Sequence, residues 1–267
     1  MTAQAFNGKA QSSAVALFVS DVHLNPDHPE TAQAFLDFLK NHVPPHARLY
    51  LLGDIFEYWV GDDDLDDALH TALIATLKKL SDNGTSIFWM AGNRDFLVGQ
   101  AFATMTGATL LNDPARISVA GRDILLCHGD ALCTDDTDYM RFRQQVRNPQ
   151  WQQQFLSMPL AQRKAIAQNM RMESRQRQQG KSMTIMDVNP QAVEQLFAES
   201  GLGTVIHGHT HRPALHRHEG GLRYVLSDWE YDHASARGDW LEIGEEGAIH
   251  RYSLSAQDHR QKTLICA

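Results

Sequence analysis

Five short apolar runs in this sequence each end on a polar residue that can hold a cation or a phosphate. No other feature constrains the fold as much. AVALFVS runs into Asp21, RLYLLGD ends at Asp54, TSIFWMAGN ends at Asn93, RDILLCHGD carries His128, and LGTVIHGHTH carries His209 and His211. Short, continuous apolar stretches with β-branched content suit strands buried on both faces. In open α/β sheets the C-terminal strand edge is where ligands bind, so motifs far apart in sequence can converge on one crevice. Glu30 to His42 carries Phe35, Phe38 and Leu39 at helical spacing and stops at Pro44-Pro45, and Leu65 to Leu80 reads as a second amphipathic helix closed by Asn83-Gly84. After Arg212-Pro213, the segments ALHRH, LRYVLSDW, DWLEIG and AIHRYSL alternate between EGG and GEEG turns and predict antiparallel strands that complete the core.

The remaining composition narrows the class. At 267 residues and 43% hydrophobic content the chain can bury a substantial core. It has no apolar stretch approaching the roughly 18 residues that cross a bilayer. Residues 1–13 are polar and read as a flexible leader rather than a secretion signal. Cys127, Cys133 and Cys266 are odd in number and lack metal-ligand spacing, which points to a reducing compartment and a cytoplasmic protein. The net charge is -8, yet Tyr139 to Met183 holds nine Lys/Arg against Glu173 alone, a local +8 that implies an anionic partner for this segment. Residues 136–183 contain no strand pattern and read as an inserted helical lid. It interrupts a core formed by residues 14–135 and 184–253.

Asp21-Val22-His23 and His209-Thr210-His211 each place two ligand types at i and i+2, which an extended chain projects to one side. With Asp54, Asn93 and His128 they offer two carboxylates, one amide oxygen and four imidazoles. That set suits a pair of divalent ions roughly 3.5–4 Å apart, clamping an in-line displacement at phosphorus. If Asp54 bridges, Asp21, His23, Asp54 and His211 serve one ion, and Asp54, Asn93, His128 and His209 the other. Mixed N/O ligation without thiolate favours Mn, Fe, Co or Zn over Mg, and manganese is the first choice. His207 is left out of the set, and His28, His42, His216, His218 and His233 are read as surface residues.

The order DVH, GD, GNRD, HGD, GHTH resembles the calcineurin-like metallophosphoesterase superfamily. The longer forms GDIFEYWVGDD and AGNRDFLVG resemble its branch that cleaves a UDP-linked diacyl glycolipid. The similarity spans about Ala16 to about Gly247. It implies an α/β fold, a four-layer α/β/β/α sandwich with an inserted helical cap, and two Mn ions. The implied reaction splits a pyrophosphate bond to give UMP and a lipid sugar 1-phosphate, in lipid A synthesis. It further implies catalytic roles for Asn93, Arg94 and His209, with substrate contacts from these three and from Asp136, Ser174, Gln178 and Lys181. Gln178 departs from the family's Asn. The implied partners are the diacyl glycolipid and the cytoplasmic face of the inner membrane, to which the chain would attach peripherally. No nucleic acid and no obligate protein partner is expected.

Arg94 narrows the chemistry. Many relatives carry His at this position, suited to protonating an alcohol leaving group, whereas a guanidinium stays charged and holds phosphate oxygens by parallel hydrogen bonds. A phosphate monoester leaving from a pyrophosphate needs no proton, so a metal-bound hydroxide is expected to attack the phosphorus next to uridine. The structural alternative for Arg94 is a salt bridge to Asp95 or to a neighbouring loop. In the lid, Val146, Trp151, Phe155, Leu156, Met158, Leu160, Ile166, Met170 and Met172 are expected to divide between a core of the lid's own and an acyl-chain groove. The rival readings are a nucleotide pyrophosphatase or nuclease of the same superfamily, and a scaffold that has lost catalysis.

Overall fold

The alternation of strand residues sorts this chain into layers. In a computed structural model, residues 14–178, 187–233, 236–254 and 260–263 are described. Strands β1 (Ala14–Val19), β2 (Arg48–Leu51), β3 (Ser86–Met90) and β4 (Ala108–Leu111) lie parallel, the first three being buried apolar runs and β4 a more exposed edge. The second sheet comprises β5 (Ala115–Val119), β6 (Arg122–Leu126), β7 (Thr204–His207), β8 (Ala214–His218) and β9 (Gly221–Val225), in the order β5-β6-β7-β9-β8. Strands β10 (Asp239–Gly244), β11 (Ile249–Leu254) and β12 (Arg260–Thr263) extend the first sheet beyond β1, each antiparallel to the strand before it in the sheet. The segments after Pro213 pair antiparallel as expected, β8 with β9 in the second sheet and β10 with β1 and β11 in the first.

Along β1, Ala16 and Phe18 face the second sheet while Leu17 and Val19 face helices. Phe18 stacks on Tyr50 at 4.9 Å and Tyr50 on Phe88 at 4.7 Å, and this row packs with Leu126, Ile206, Tyr224 and Leu226 from the second sheet. On the opposite face of the first sheet lie Phe35 and Phe38 of α1 (Pro29–Asn41), Leu73 and Leu77 of α2 (Ala68–Asp82), and Phe102 of α3 (Gln100–Thr106). Helix α7 (Pro190–Ser200) covers the outer face of the second sheet through Val193 and Phe197. These are the four layers of an α/β/β/α sandwich.

Helix boundaries follow their caps. Helix α2 starts at Ala68 rather than Leu65 because the Asp67 carboxylate accepts from Leu69 N at 2.8 Å. The N-terminus of α1 is served by a distant group, since Asp232 accepts from Glu30 N and Thr31 N, both at 3.0 Å. Asp62 likewise accepts from Gly99 N and Phe102 N and starts α3, a helix with no clear pattern in the sequence.

Helices α4 (Thr137–Val146), α5 (Pro149–Leu156) and α6 (Leu160–Gln178) form a cap over the sheet edges. Among the described residues the cap shows no core of its own: Phe155, with Trp151, Leu160 and Ile166, packs into the same apolar cluster as α1 to α3. Its positive charge also meets the protein itself. Arg143 donates to Asp130, Arg147 to the carbonyls of Ala91 and Gly92, and Arg163 to Asp63, while Lys164 pairs with Asp64 and Arg171 with Glu57. The anionic partner implied by the local +8 is thus in good part the acidic core, which a charge sum along the sequence cannot distinguish from an external ligand.

Arg163 is the buried clamp, 2% exposed, bonding Asp63, Val60 O and Met158 O. Arg163→Ala strands two carbonyls and is expected to weaken cap docking by about 1–3 kcal/mol. Hydrogen exchange across α5 and α6 should speed up correspondingly while β1 to β3 stay protected. Unchanged exchange in the cap would refute the clamp.

Candidate metal and substrate site

The motif residues meet where the C-terminal ends of β1, β2 and β3 face those of β6 and β7. Two clusters result. Asp21, His23 and His211 form one, Asp54, His128 and His209 the other, and within each the ligand-type atoms all lie within 4.8 Å of one another. Asn93 joins the second, its Oδ1 3.0 Å from His128 Nε2, with Asp54 Oδ1 3.6 Å from the same nitrogen.

The chain reaches this arrangement by a backbone conformation that differs from the extended one expected. Asp21, His23, Asp54, His209 and His211 all have positive φ, between 53° and 68°. Such left-handed residues are uncommon outside glycine and persist where surrounding bonds fix them. Here Asp21 N donates to Gly53 O and His23 N to Asp54 O, both at 3.0 Å, and His209 N donates to Asp21 Oδ2 at 2.8 Å. The β2 and β3 loops approach so closely that a Cβ on Gly92 would lie 2.2 Å from Asp54 Oδ1. Glycine is required there for contact rather than for flexibility.

Carboxylate, amide and imidazole atoms face one another across the two clusters. Asp21 Oδ1 is buried with no hydrogen-bond partner, 3.4 Å from His211 Nε2, and His23 Nε2 faces His211 Nε2 at 3.2 Å. His128 Nδ1 lies 2.9 Å from Leu52 O; a carbonyl only accepts, so Nδ1 carries the proton and Nε2 points at two acceptor oxygens. The electrostatics agree. Burial opposes charge on His128, but Asp54, Asp130 and Asp21 push its pKa up to about 9. Burial would raise the Asp21 carboxyl, yet His211, His128 and His23 hold it well below the usual carboxylate range. His209, desolvated and beside His128, is pushed down to about 4 and stays neutral. A buried cluster that draws positive charge and offers carboxylate oxygen, amide oxygen and imidazole nitrogen fits divalent cations.

Asp95 is the hidden organiser. It is fully buried, and accepts from Gly92 N at 2.7 Å, Ile55 N at 2.9 Å and Asp54 N at 3.2 Å, joining the two loops. Burial and the neighbouring Asp54 raise its pKa to about 6. No ion pair joins it to Arg94; the Arg94 Nε has no hydrogen-bond partner and the residue lines a cavity of about 840 Å³.

That cavity runs from the histidine clusters to the underside of the cap. Its polar end includes Asn93, Arg94 and His209, and its apolar wall includes Phe96, Phe142, Trp151 and Met170. Asp136 lines it while capping α4, accepting from Tyr139 N at 3.1 Å. Ser174 and Gln178 fall on α6, but their side chains lie outside the described residues, as does Lys181. His207 is fully buried between Gly208 O at 2.8 Å and Arg223 Nη1 at 2.9 Å. His28, His42 and His218 are half-buried rather than on the surface, His42 stacked on Phe38, whereas His216 and His233 are exposed.

Several residues escaped the sequence reading. Tyr139 donates to Asp130 at 2.5 Å and its ring lies 6.0 Å from that of His209. Glu57 sits 3.0 Å from His23 Nδ1. Asp130 and Glu57 both stand inside motifs already noted, and acids embedded in apolar runs were the available signal.

The calcineurin-like phosphoesterase family model matches residues 15–213. A UDP-2,3-diacylglucosamine hydrolase of Ralstonia nicotianae is 45% identical over 267 residues, covering 96% of this chain and 98% of the relative. Proteins of the same name from Chromohalobacter salexigens (48% identity; 80% of this chain, 88% of the relative) and Cellvibrio japonicus (49%; 80% and 91%) are similarly close. The chain therefore belongs to the calcineurin-like phosphoesterase family and is a hydrolase.

Proposed function

We propose that this hydrolase splits the pyrophosphate bond of UDP-2,3-diacylglucosamine, releasing UMP and 2,3-diacylglucosamine 1-phosphate, as a step of lipid A synthesis. The cavity carries the reading. One continuous cavity joins a cation-seeking cluster and a guanidinium to an aromatic and aliphatic wall, which matches a substrate with a diphosphate at one end and acyl chains at the other. The names of the close relatives support the same substrate.

In this reading Asp21, His23 and His211 hold one divalent ion, and Asn93, His128 and His209 the other, with Asp54 between them. Manganese is our choice. When bound, the ions supply Lewis acidity and a water activated for attack. Arg94, with its charged side chain turned to the cavity, holds oxygens of the transferring phosphoryl group, aided by Asn93 and His209. Water oxygen adds to the phosphorus next to uridine as the bond to the bridging oxygen breaks. The lipid sugar 1-phosphate departs as a dianion that needs no general acid, and two protons go to solvent. The wall formed by α4, α5 and α6 takes the acyl chains, Met170 adapting to them. Asp136, Ser174, Gln178 and Lys181 are assigned to the remainder of the substrate. Residues 136–183 act as its lid.

No helix among the described residues is long and apolar enough to cross a membrane. We assign the chain to the cytoplasmic surface of the inner membrane, where a diacyl lipid is met. A nuclease role needs free cations, and the described arginines and lysine of α4 to α6 pair mostly with the core.

The decisive assay is UMP release after Mn reconstitution. Detergent-dispersed UDP-2,3-diacylglucosamine should yield UMP, whereas UDP-N-acetylglucosamine, which leaves the apolar wall empty, should be cleaved at least about 100-fold more slowly. Equal rates on both, or comparable cleavage of single-stranded DNA, would sink the lipid assignment.

A further inference from the structure

Glu57 lies in the GDIFEYWVGDD stretch, takes no part in the ligand set, and is only 7% exposed. Its place is fixed by the backbone. Asp21 N bonds Gly53 O, His23 N bonds Asp54 O, Leu24 N bonds Ile55 O at 2.8 Å and Glu57 N bonds Leu24 O at 3.1 Å. Residues 21–24 and 53–57 therefore run side by side, with Glu57 beside His23. Its Oε2 lies 3.0 Å from His23 Nδ1, and its Oε1 2.5 Å from Arg171 Nε on α6. The other nitrogen of His23 faces His211 and Asp21. One buried carboxylate thus touches a histidine of the cation cluster with one oxygen and an arginine of the cap with the other.

We propose that Glu57 is a positioning residue that ties α6 of the cap to the cation subsite of Asp21, His23 and His211, so that cation binding and cap docking strengthen one another. The proposal rests on the reading that this cluster holds a cation. A carboxylate on the outer nitrogen of a ligand histidine fixes the ring's orientation and leaves Nε2 as the ligand atom. The Glu side chain has three rotatable bonds, and holding it costs conformational entropy. Arg171 meets that cost when the cap is docked, so the histidine is aligned in advance; with the cap undocked, cation binding must bear it. By linkage, the factor by which docking tightens the cation is the factor by which the cation tightens docking.

The test needs no substrate. Mn is titrated into the full-length wild type, Glu57→Gln and Arg171→Gln, read by competition with a fluorescent chelator and by the electron paramagnetic resonance of the coupled pair. Glu57→Gln should weaken one of two ions by about 10- to 100-fold and spare the other. Arg171→Gln, altered only on the cap side, should weaken that same ion by about fivefold or more. Hydrogen exchange of α6 should slow on Mn addition in the wild type and become indifferent to Mn in Glu57→Gln. Wild-type affinities in Arg171→Gln, or Mn-dependent protection of α6 persisting in Glu57→Gln, overturn the proposal. Matching unfolding transitions of the metal-free proteins separate these outcomes from misfolding, and Arg171→Gln carries the test if Glu57→Gln does not fold. A wild type that binds no cation defeats the metal reading itself, a result distinct from either variant's.

Discussion

Asp54→Ala is expected to lower hydrolysis by about 10³-fold or more and to release cations from both clusters. Asp54 stands at the junction of three motifs. Its Oδ1 accepts from Arg94 N at 2.8 Å and lies 3.6 Å from His128 Nε2, and the residue is 2% exposed with a φ of 54°. In the proposed site this buried carboxylate would be shared by both ions, so removing it would cost each ion a ligand. Product release and metal content per chain, measured on the same preparation, check this together. Two ions retained with turnover within tenfold of the wild type would refute the bridging assignment. Alanine also accommodates positive φ poorly, so Asp54→Asn, which keeps the side chain's shape, separates backbone strain from lost charge.

Arg94→Ala should cost about 10²–10³-fold in turnover while both ions stay bound. Its backbone N–H, which supports Asp54, survives the substitution, and its Nε makes no bond in the protein that the variant would lose. Arg94→Lys should recover little, because a single ammonium cannot reproduce a planar fork on two phosphate oxygens. Metal content separates the readings. If metal is lost along with turnover, Arg94 serves the structure and not the phosphoryl group.

Much of the candidate site is legible in the amino-acid sequence, and for a physical reason. Strands buried on both faces leave a continuous apolar signature, and their carboxyl ends are the places where a polar residue can meet solvent or ligand. Asp21, Asp54, Asn93, His128, His209 and His211 could be selected on that ground alone. Helices α1 and α2 were visible through their apolar spacing, with α2 misplaced by three residues because Asp67 caps it. Strand β5 spans five residues and α3 seven, too few for a periodic signal to stand out. The lid's charge was visible but its partner was not: the same nine cations would look alike whether they faced a lipid phosphate or Asp63, Asp64, Asp130 and Glu57.

The sequence by itself determined which residues could make a cation site, because ligand chemistry is a property of side chains and strand ends are marked by hydrophobic runs. It also determined that Arg94, always charged, cannot be the general acid. Tertiary structure alone decided how those residues converge. The left-handed turns at five of them arise from bonds between segments far apart in the chain, such as His209 N to Asp21 and His23 N to Asp54 O. Structure alone also assigned the buried carboxylates. Asp95, Asp130 and Glu57 are ordinary acids in sequence and gain their roles only when burial removes water and leaves each a particular set of donors.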